Sequence, residues 1–217
     1  MEKLSRYIIE HSSQEHEALK WIRKQTNLRT NHARMLSGPT QGALLTMLVR
    51  ISSAKNILEV GTFTGYSTCC LGLGLPEGGH IDSLELNDEL NDIIFGGWER
   101  AGLKHCISLH NGDALKTLEV LAGQIAEGFK PQYDLAFIDA NKRQYRSYFD
   151  AVFPMIRPGG IILADNTLWN GKVLEEPLPS DAQTVELAAF NRMIALRKDL
   201  DAFILPLRDG LTFIRKK

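Results

Sequence analysis

Asn56-Ile57-Leu58-Glu59-Val60-Gly61-Thr62-Phe63-Thr64-Gly65-Tyr66-Ser67-Thr68 is the stretch whose reading decides the rest of the chain. Ile57, Leu58 and Val60 make a short apolar run, the pattern of a parallel strand buried on both faces. A glycine-punctuated turn ends it, and small hydroxylated residues lead into an apolar helix over Tyr66–Leu75. A strand, a glycine turn and a helix N-terminus form the nucleotide-cradling corner of a doubly wound α/β sheet. The spacing Glu59-x-Gly61-x-x-x-Gly65 is not the dinucleotide fingerprint, because Phe63 stands where the second glycine would be. That glycine lets backbone close on a pyrophosphate, so a ligand without one is expected. Glu59, a carboxylate near the strand's end, suits a cationic ligand better than an anionic one. S-adenosylmethionine (SAM) meets both conditions, with an adenine, a ribose, no phosphate, and a positively charged amino group and sulfonium.

Outward from this corner, strand and helix patterns alternate. Strands are expected at His80–Leu86, His105–His110, Tyr133–Ile138 and Ile161–Ala164, the last entered through a turn at Pro158-Gly159-Gly160. Helices are expected at Asp88–Ala101, Ala114–Glu127, Arg143–Ile156 and Val185–Leu200, the last after a polar loop through Pro177–Ser180. Such alternation predicts a parallel sheet covered on both faces. The end differs: Ala202–Leu207 and Leu211–Arg215 flank Arg208-Asp209-Gly210, and Asp-Gly is a hairpin signal, so the last two strands should be antiparallel. Before the first strand, helical periodicity runs through Glu2–Thr26, with a restart at Ser12-Ser13 and Glu15. A turn at Met35–Thr40 then caps a helix Gln41–Ser52, whose apolar face of Leu44, Leu45, Leu48 and Ile51 should lie on the sheet. The expectation is one domain over residues 1–217, with N-terminal helices in 1–52 and the sheet core in 53–217.

Composition narrows the function classes. Lys plus Arg (25) nearly balances Asp plus Glu (26), which argues against a broad phosphate-binding face and therefore against nucleic acid. No apolar run is long enough for a membrane span, and Met1-Glu2-Lys3-Leu4 opens no signal-peptide core, so a cytoplasmic protein is expected. Cys69, Cys70 and Cys106 contain no Cys-x-x-Cys and read as small buried hydrophobes. The six histidines lack zinc-ligand spacing, with His80 and His105 expected to start strands.

In an open α/β sheet, ligands bind beyond the carboxyl ends of the strands, so polar residues there are the candidates. Glu85 ends the second strand, where a carboxylate can accept both ribose hydroxyls. Asp113 follows the third strand and either accepts from an adenine amino group or caps the next helix. Asp139 and Asp165 end the fourth and fifth strands. Neighbouring strands lie about 4.8 Å apart, so pairing of these two would bring the carboxylates together. With the side-chain oxygen of Asn166 they make a hard three-oxygen set suited to Mg²⁺, or to Ca²⁺ or Mn²⁺, although Asp at a strand end also serves as a helix cap. Lys142, three residues after Asp139, can point into the same cavity; a lysine at a helix start is otherwise unfavourable against the helix dipole. Trp169 and Asn170 lie in the loop beyond the fifth strand, where they either border a flat substrate or pack.

These blocks together resemble the cation-dependent O-methyltransferases of the caffeoyl-CoA and catechol O-methyltransferase type, particularly the small bacterial members. The likeness runs from about Met35 to the C-terminus and is dense at Ile57–Ser67, Asp113–Ala114, Phe137–Lys142, Gly159–Val173 and Leu205–Arg215. The resemblance implies a Rossmann-like seven-stranded sheet with a reversed last strand, a homodimer, and a small aromatic hydroxyl acceptor. By it, Ser37, Glu59, Gly61, Thr62 and Ser67 would hold the methionine part of SAM, Glu85 the ribose, and Asp113 with Ala114 the adenine. Asp139, Asp165 and Asn166 fall on the metal ligands, Lys142 on the catalytic lysine, and Asn170 on a substrate contact. Three departures stand out: Asn141 where the family usually has Asp, Arg208 in place of a glycine, and a first thirty residues unlike the plant enzymes. A nucleic-acid methyltransferase would need a basic face and an Asn/Asp-Pro-Pro-aromatic motif where this chain reads Asp139-Ala140-Asn141-Lys142. A non-catalytic SAM-binding protein would have no reason to keep the metal set together with Lys142.

Overall fold

Ile57, Leu58, Glu59 and Val60 are fully buried in the first strand, β1 (Asn56–Val60). This computed structural model describes residues 2–217; Met1, on which the N-terminal reading opens, lies outside the described residues. Among them, β1 joins β2 (His80–Glu85), β3 (Ile107–Asn111), β4 (Tyr133–Ile138), β5 (Ile156–Asp165), β6 (Leu200–Leu205) and β7 (Leu211–Lys216) in one sheet of order β3-β2-β1-β4-β5-β7-β6. Parallel pairs link β1 to β4 and β4 to β5, whereas β7 runs antiparallel to both β5 and β6. The expected α/β sheet with a reversed last strand is what the chain builds. Strand order turns between β1 and β4, the place where ligands bind in such sheets.

By its internal contacts the chain divides into two compact units. One holds the segment up to Lys55 with Thr62–Ile81 and Asn87–Ser108; the other holds Asn56–Gly61, Asp82–Leu86 and Leu109–Lys217.

The first unit is helical: α1 (Glu2–Glu10), α2 (Glu17–Arg29), α3 (Pro39–Ser52), α4 (Tyr66–Gly72) and α5 (Asn91–Arg100). The expected restart is real, since His16 Nδ1 accepts the Ala18 N–H at 3.2 Å and caps α2. Glycines let α2 sit close on α5: a Cβ at Gly97 would stand 2.5 Å from the Ile22 side chain. The expected face of α3 needs correction. Its buried residues are Gln41, Gly42, Leu45 and Val49, while Ile51 is 75% exposed. The cause is Gly42, which admits Cys70 Sγ where a Cβ would be 2.7 Å away, so α3 turns this side to α4. Thr46 Oγ1 then donates to the Cys70 carbonyl at 2.7 Å. The three cysteines form no disulfide and are buried, as expected, and burial pushes the Cys69 thiol up to about 12.

In the second unit α6 (Ala114–Ala126), α7 (Tyr145–Val152) and α8 (Ala182–Leu196) share an apolar core with the strands, centred on Ile138, Tyr145, Phe149, Ile162, Leu187 and Phe190. Several spans differ from expectation. The helix read as Arg143–Ile156 is a 3-10 turn (Lys142–Gln144), α7, and a second 3-10 turn over Phe153–Met155, broken where Pro154 lacks an amide hydrogen. Consequently Pro158-Gly159-Gly160 lies inside β5 rather than before it. The ladder slips between Tyr133↔Ile156 and Leu135↔Ile161, and Gly159 takes φ +77°, the marks of a bulge. Helix α8 starts earlier than expected because Asp181, not a later residue, caps it through the Thr184 N–H at 3.1 Å. His105 sits in a 3-10 turn (Lys104–Cys106) and does not start β3.

Candidate active site

Ile138 pairs with Ala164 in the parallel β4–β5 ladder, so the next residue on each strand, Asp139 and Asp165, leaves the sheet beside the other. Asp165 is 1% exposed and its Oδ1 accepts the Asn166 N–H at 2.9 Å. Asn166 takes a left-handed backbone, φ 60°, which turns the chain sharply out of the strand. On the other side β1 pairs with β4 through Val60↔Ile138, and the Asp139 N–H donates to the Val60 carbonyl at 2.9 Å. Gly61 follows with φ +101°; a Cβ there would stand 2.1 Å from the Asp139 carbonyl oxygen. Glycine is therefore required for β1 and β4 to end side by side.

Lys142 lies in the 3-10 turn after β4 and is 9% exposed. Its Nζ is 2.6 Å from Asp139 Oδ1 and 2.7 Å from the hydroxyl of Tyr145, so the three-residue spacing expected to bring lysine and aspartate together does so. Tyr145 was not singled out in the sequence. Its ring is fully buried, and its hydroxyl donates to the Asp165 main-chain oxygen at 2.6 Å, with that of Ile138 at 3.2 Å. Burial pushes the Tyr145 phenol well above its ordinary range, and the nearby charges of Asp139 and Asp165 push it further. Both effects favour the protonated hydroxyl. The signal available in the sequence was the Lys142-x-x-Tyr145 spacing, which puts a hydroxyl one turn from the lysine.

The remaining candidates fall at other strand ends. Glu59 is fully buried in β1, and Ser83 Oγ of β2 donates to its Oε2 at 2.5 Å. Glu85 closes β2, half-buried, with its carbonyl accepting the Gly112 N–H at 2.8 Å. Asp113 caps α6: Oδ1 accepts from the N–H groups of Leu115 at 2.9 Å and Lys116 at 3.2 Å, and Ala114 begins that helix. Ser37, Thr62 and Ser67 belong to the helical unit. Ser37 is buried before α3, Thr62 accepts the Gly65 N–H at 2.9 Å, and Ser67 is buried in the first turn of α4. Phe63, between them, adopts φ 54°, a glycine-like conformation without the glycine.

A family model described as O-methyltransferase matches residues 9–217. The chain belongs to this O-methyltransferase family. The caffeoyl-CoA O-methyltransferase of Medicago sativa is 33% identical to it, over 98% of this chain and 88% of that protein. Among solved structures, the O-methyltransferase TomG from Streptomyces achromogenes, in complex with SAM, has a TM-score of 0.91 and 28% identity, covering 99% of this chain and 96% of its own. The O-methyltransferase from Bacillus cereus, in complex with SAH, has a TM-score of 0.89 and 30% identity, covering 99% and 97%. The reaction class of this family member is O-methyl transfer from SAM. The likeness also reaches further back than the expected start at Met35, into the N-terminal helices, and takes in the plant enzyme there.

Within the family fold, the loop after β5 carries Trp169 and Asn170 in left-handed backbone, φ 49° and 53°, followed by Gly171 at 80°. Three bonds from the β6–β7 loop hold this run. Asp209 Oδ1 accepts the Asn170 N–H, the Asp209 carbonyl accepts the Leu168 N–H at 2.9 Å, and the Gly210 carbonyl accepts the Thr167 N–H at 3.1 Å. Asp209 is thus a second residue near the site that the sequence does not single out; its Asp-Gly dipeptide reads only as a hairpin. Asn170 is exposed, while Trp169 is half-buried with its indole N–H inward.

Proposed function

We propose that this family member transfers the SAM methyl group to a hydroxyl of a small catechol-like or polyphenolic acceptor, with a divalent cation held by Asp139, Asp165 and Asn166. The observation that carries it is the pair of carboxylates leaving β4 and β5 side by side with the Lys142 ammonium on one of them. Two carboxylates against one ammonium leave net negative charge, and with an amide oxygen they form a hard donor set that fits Mg²⁺, Ca²⁺ or Mn²⁺. No three His, Cys, Asp or Glu side chains converge among the described residues, so the set proposed here rests on two carboxylates and the Asn166 amide. When bound, it supplies electrophilic stabilisation of an acceptor oxygen: ionising a phenol of pKa about 10 at pH 7 otherwise costs roughly 4 kcal/mol.

Lys142 either takes the proton of the acceptor hydroxyl, for which it must first be the neutral amine, or as the ammonium donates to the oxygen once its proton has left to solvent. That oxygen attacks the methyl carbon as the sulfur–carbon bond breaks, and the chain's main contribution is holding the reacting atoms in line. Glu59, Gly61, Thr62, Ser37 and Ser67 would hold the methionine part, and the buried Glu59 carboxylate fits a cationic ligand. Glu85 would hold the ribose. Asp113 can contribute to adenine only beside its capping bonds, and Ala114 lies next to it. Trp169 and Asn170 would border the acceptor.

The whole chain works here as one methyltransferase domain, in the cytoplasm, as a homodimer. Leu4, Tyr7 and Ile9 of α1 and Met47 and Ile51 of α3 are exposed apolar side chains that pairing could cover. Sedimentation at the monomer mass across working concentrations would remove that last point.

The test is incubation with labelled SAM and catechol-type acceptors, with and without Mg²⁺. Methylation that needs the added ion is expected, and full turnover in excess chelator rejects the metal assignment. Asp139→Ala should lower kcat by at least about 100-fold while largely sparing SAM binding; an active Asp139→Ala enzyme rejects the assignment equally.

A further inference from the structure

A phenol has one proton to give, and around the Tyr145 hydroxyl two main-chain carbonyls compete for it: Asp165 at 2.6 Å and Ile138 at 3.2 Å. Carbonyls only accept, so the proton goes to one of them. Toward Lys142 Nζ, at 2.7 Å, the hydroxyl oxygen must then be the acceptor. Lys142 thus has two donor directions assigned, one to Asp139 Oδ1 and one to Tyr145. At a tetrahedral nitrogen this fixes the remaining direction. A lysine held only by Asp139 would still turn about one bond on its flexible four-carbon stem. The anchor is rigid, since the Tyr145 ring is fully buried and meets Phe190 edge-on at 5.5 Å. Its carbonyl partners belong to the ends of β4 and β5, the strands that carry Asp139 and Asp165.

We propose that Tyr145 is a positioning residue for methyl transfer, whose hydroxyl holds Lys142 Nζ at one place relative to the two strand ends, leaving the third nitrogen direction for the acceptor hydroxyl. The proposal rests on Lys142 being the catalytic amine, as argued above. Tyr148, three residues further along α7, provides an internal control: its hydroxyl donates to Gln144 Oε1 at 2.9 Å.

Tyr145→Phe keeps the ring and removes the contact. With SAM and a catechol acceptor it should lower kcat about 10- to 100-fold, the scale of a small misplacement of a catalytic group. KM for SAM, and SAM affinity by calorimetry, should stay within about twofold, because the hydroxyl meets the amine and the Asp165 and Ile138 carbonyls, none of them a group assigned to SAM. Tyr148→Phe should turn over as the unaltered enzyme does. In a Lys142→Met background, read by single-turnover rates, Tyr145→Phe should cause no further loss, since there is no amine left to place. An equal loss in both backgrounds overturns the proposal. So does a Tyr145→Phe protein that fails to fold, or that loses SAM affinity in step with kcat, because either makes the hydroxyl structural. If Lys142→Met alone keeps full activity, the catalytic reading of the lysine fails instead. Loss in Lys142→Met with unaltered turnover in Tyr145→Phe removes only the inference about the tyrosine.

Discussion

Gly61 and Phe63 are two residues apart and both take positive φ, but only one of them is glycine. For Gly61 the need was legible, because a strand that must end against another backbone has room for nothing larger, and the structure puts the Asp139 carbonyl in that room. For Phe63 only a missing glycine could be read; that its backbone would turn left-handed anyway could not, since the turn's geometry is imposed by what it joins. The two residues make different predictions. Gly61→Ala should cost about 1–3 kcal/mol from the unfavourable φ alone. The clash with the Asp139 carbonyl should add to that and displace Asp139, so kcat should fall together with the urea midpoint. A Gly61→Ala protein with unaltered midpoint and turnover would show that the ends of β1 and β4 need not meet so closely.

At the scale of elements, the sheet is tied by polar contacts as well as by its apolar core, and Asp82 of β2 is the clearest case. It is 2% exposed, with His110 Nε2 of β3 2.9 Å from Oδ1 and Lys130 Nζ 2.8 Å from Oδ2. The Tyr133 hydroxyl of β4 donates to Oδ2 at 2.9 Å. Burial alone would raise its pKa, but the hydrogen bonds from His110, Lys130 and Tyr133 outweigh that and bring it down to about 2 from an ordinary 3.8. The folded carboxylate therefore binds protons less readily than the unfolded one. Its stabilisation, about 2 kcal/mol, is complete above the unfolded value and is lost as pH falls through about 2. Urea midpoints measured between pH 5 and pH 2 should fall more steeply for the unaltered protein than for Asp82→Asn, and parallel curves would refute the assignment. None of this hub was visible in the sequence, where Asp82 is one polar residue in a buried strand. Periodicity told which segments are strands and helices, but the buried side of α3 depended on Gly42 admitting Cys70, a contact 28 residues away along the chain. Local glycine and proline signals likewise marked Pro158-Gly159-Gly160 as a break, and only the β4 partner turned the break into a bulge within β5. The candidate site was more legible because Asp139, Lys142, Asp165 and Asn166 are close in sequence to strand ends, and strand ends of a doubly wound sheet are where side chains converge. Tyr145 and Asp209 escaped because each acts on a neighbour through hydrogen bonds; the Lys142-x-x-Tyr145 spacing hints at the first, and no spacing announces the second.

For the whole molecule the decisive feature is connectivity. The chain passes from one compact unit to the other five times, at 55/56, 61/62, 81/82, 86/87 and 108/109. Neither unit is a continuous stretch, so no single cut releases either. A chain threaded in this way should unfold as one domain: calorimetry should give one transition, with van't Hoff and calorimetric enthalpies equal. Two separated transitions would refute that. The same melt tests the cofactor. A ligand that binds only the folded chain stabilises it by mass action, about 2.7 kcal/mol at 100 times its Kd. For a domain of this size each kcal/mol raises Tm by about 2–4 °C, so saturating SAM should lift the single transition by about 5–10 °C. Asp139→Ala should keep most of that lift while losing turnover, because its carboxylate is assigned chiefly to the cation and Lys142. A chain whose transition ignores SAM would not be using the β1 corner for that ligand, whatever its sheet resembles.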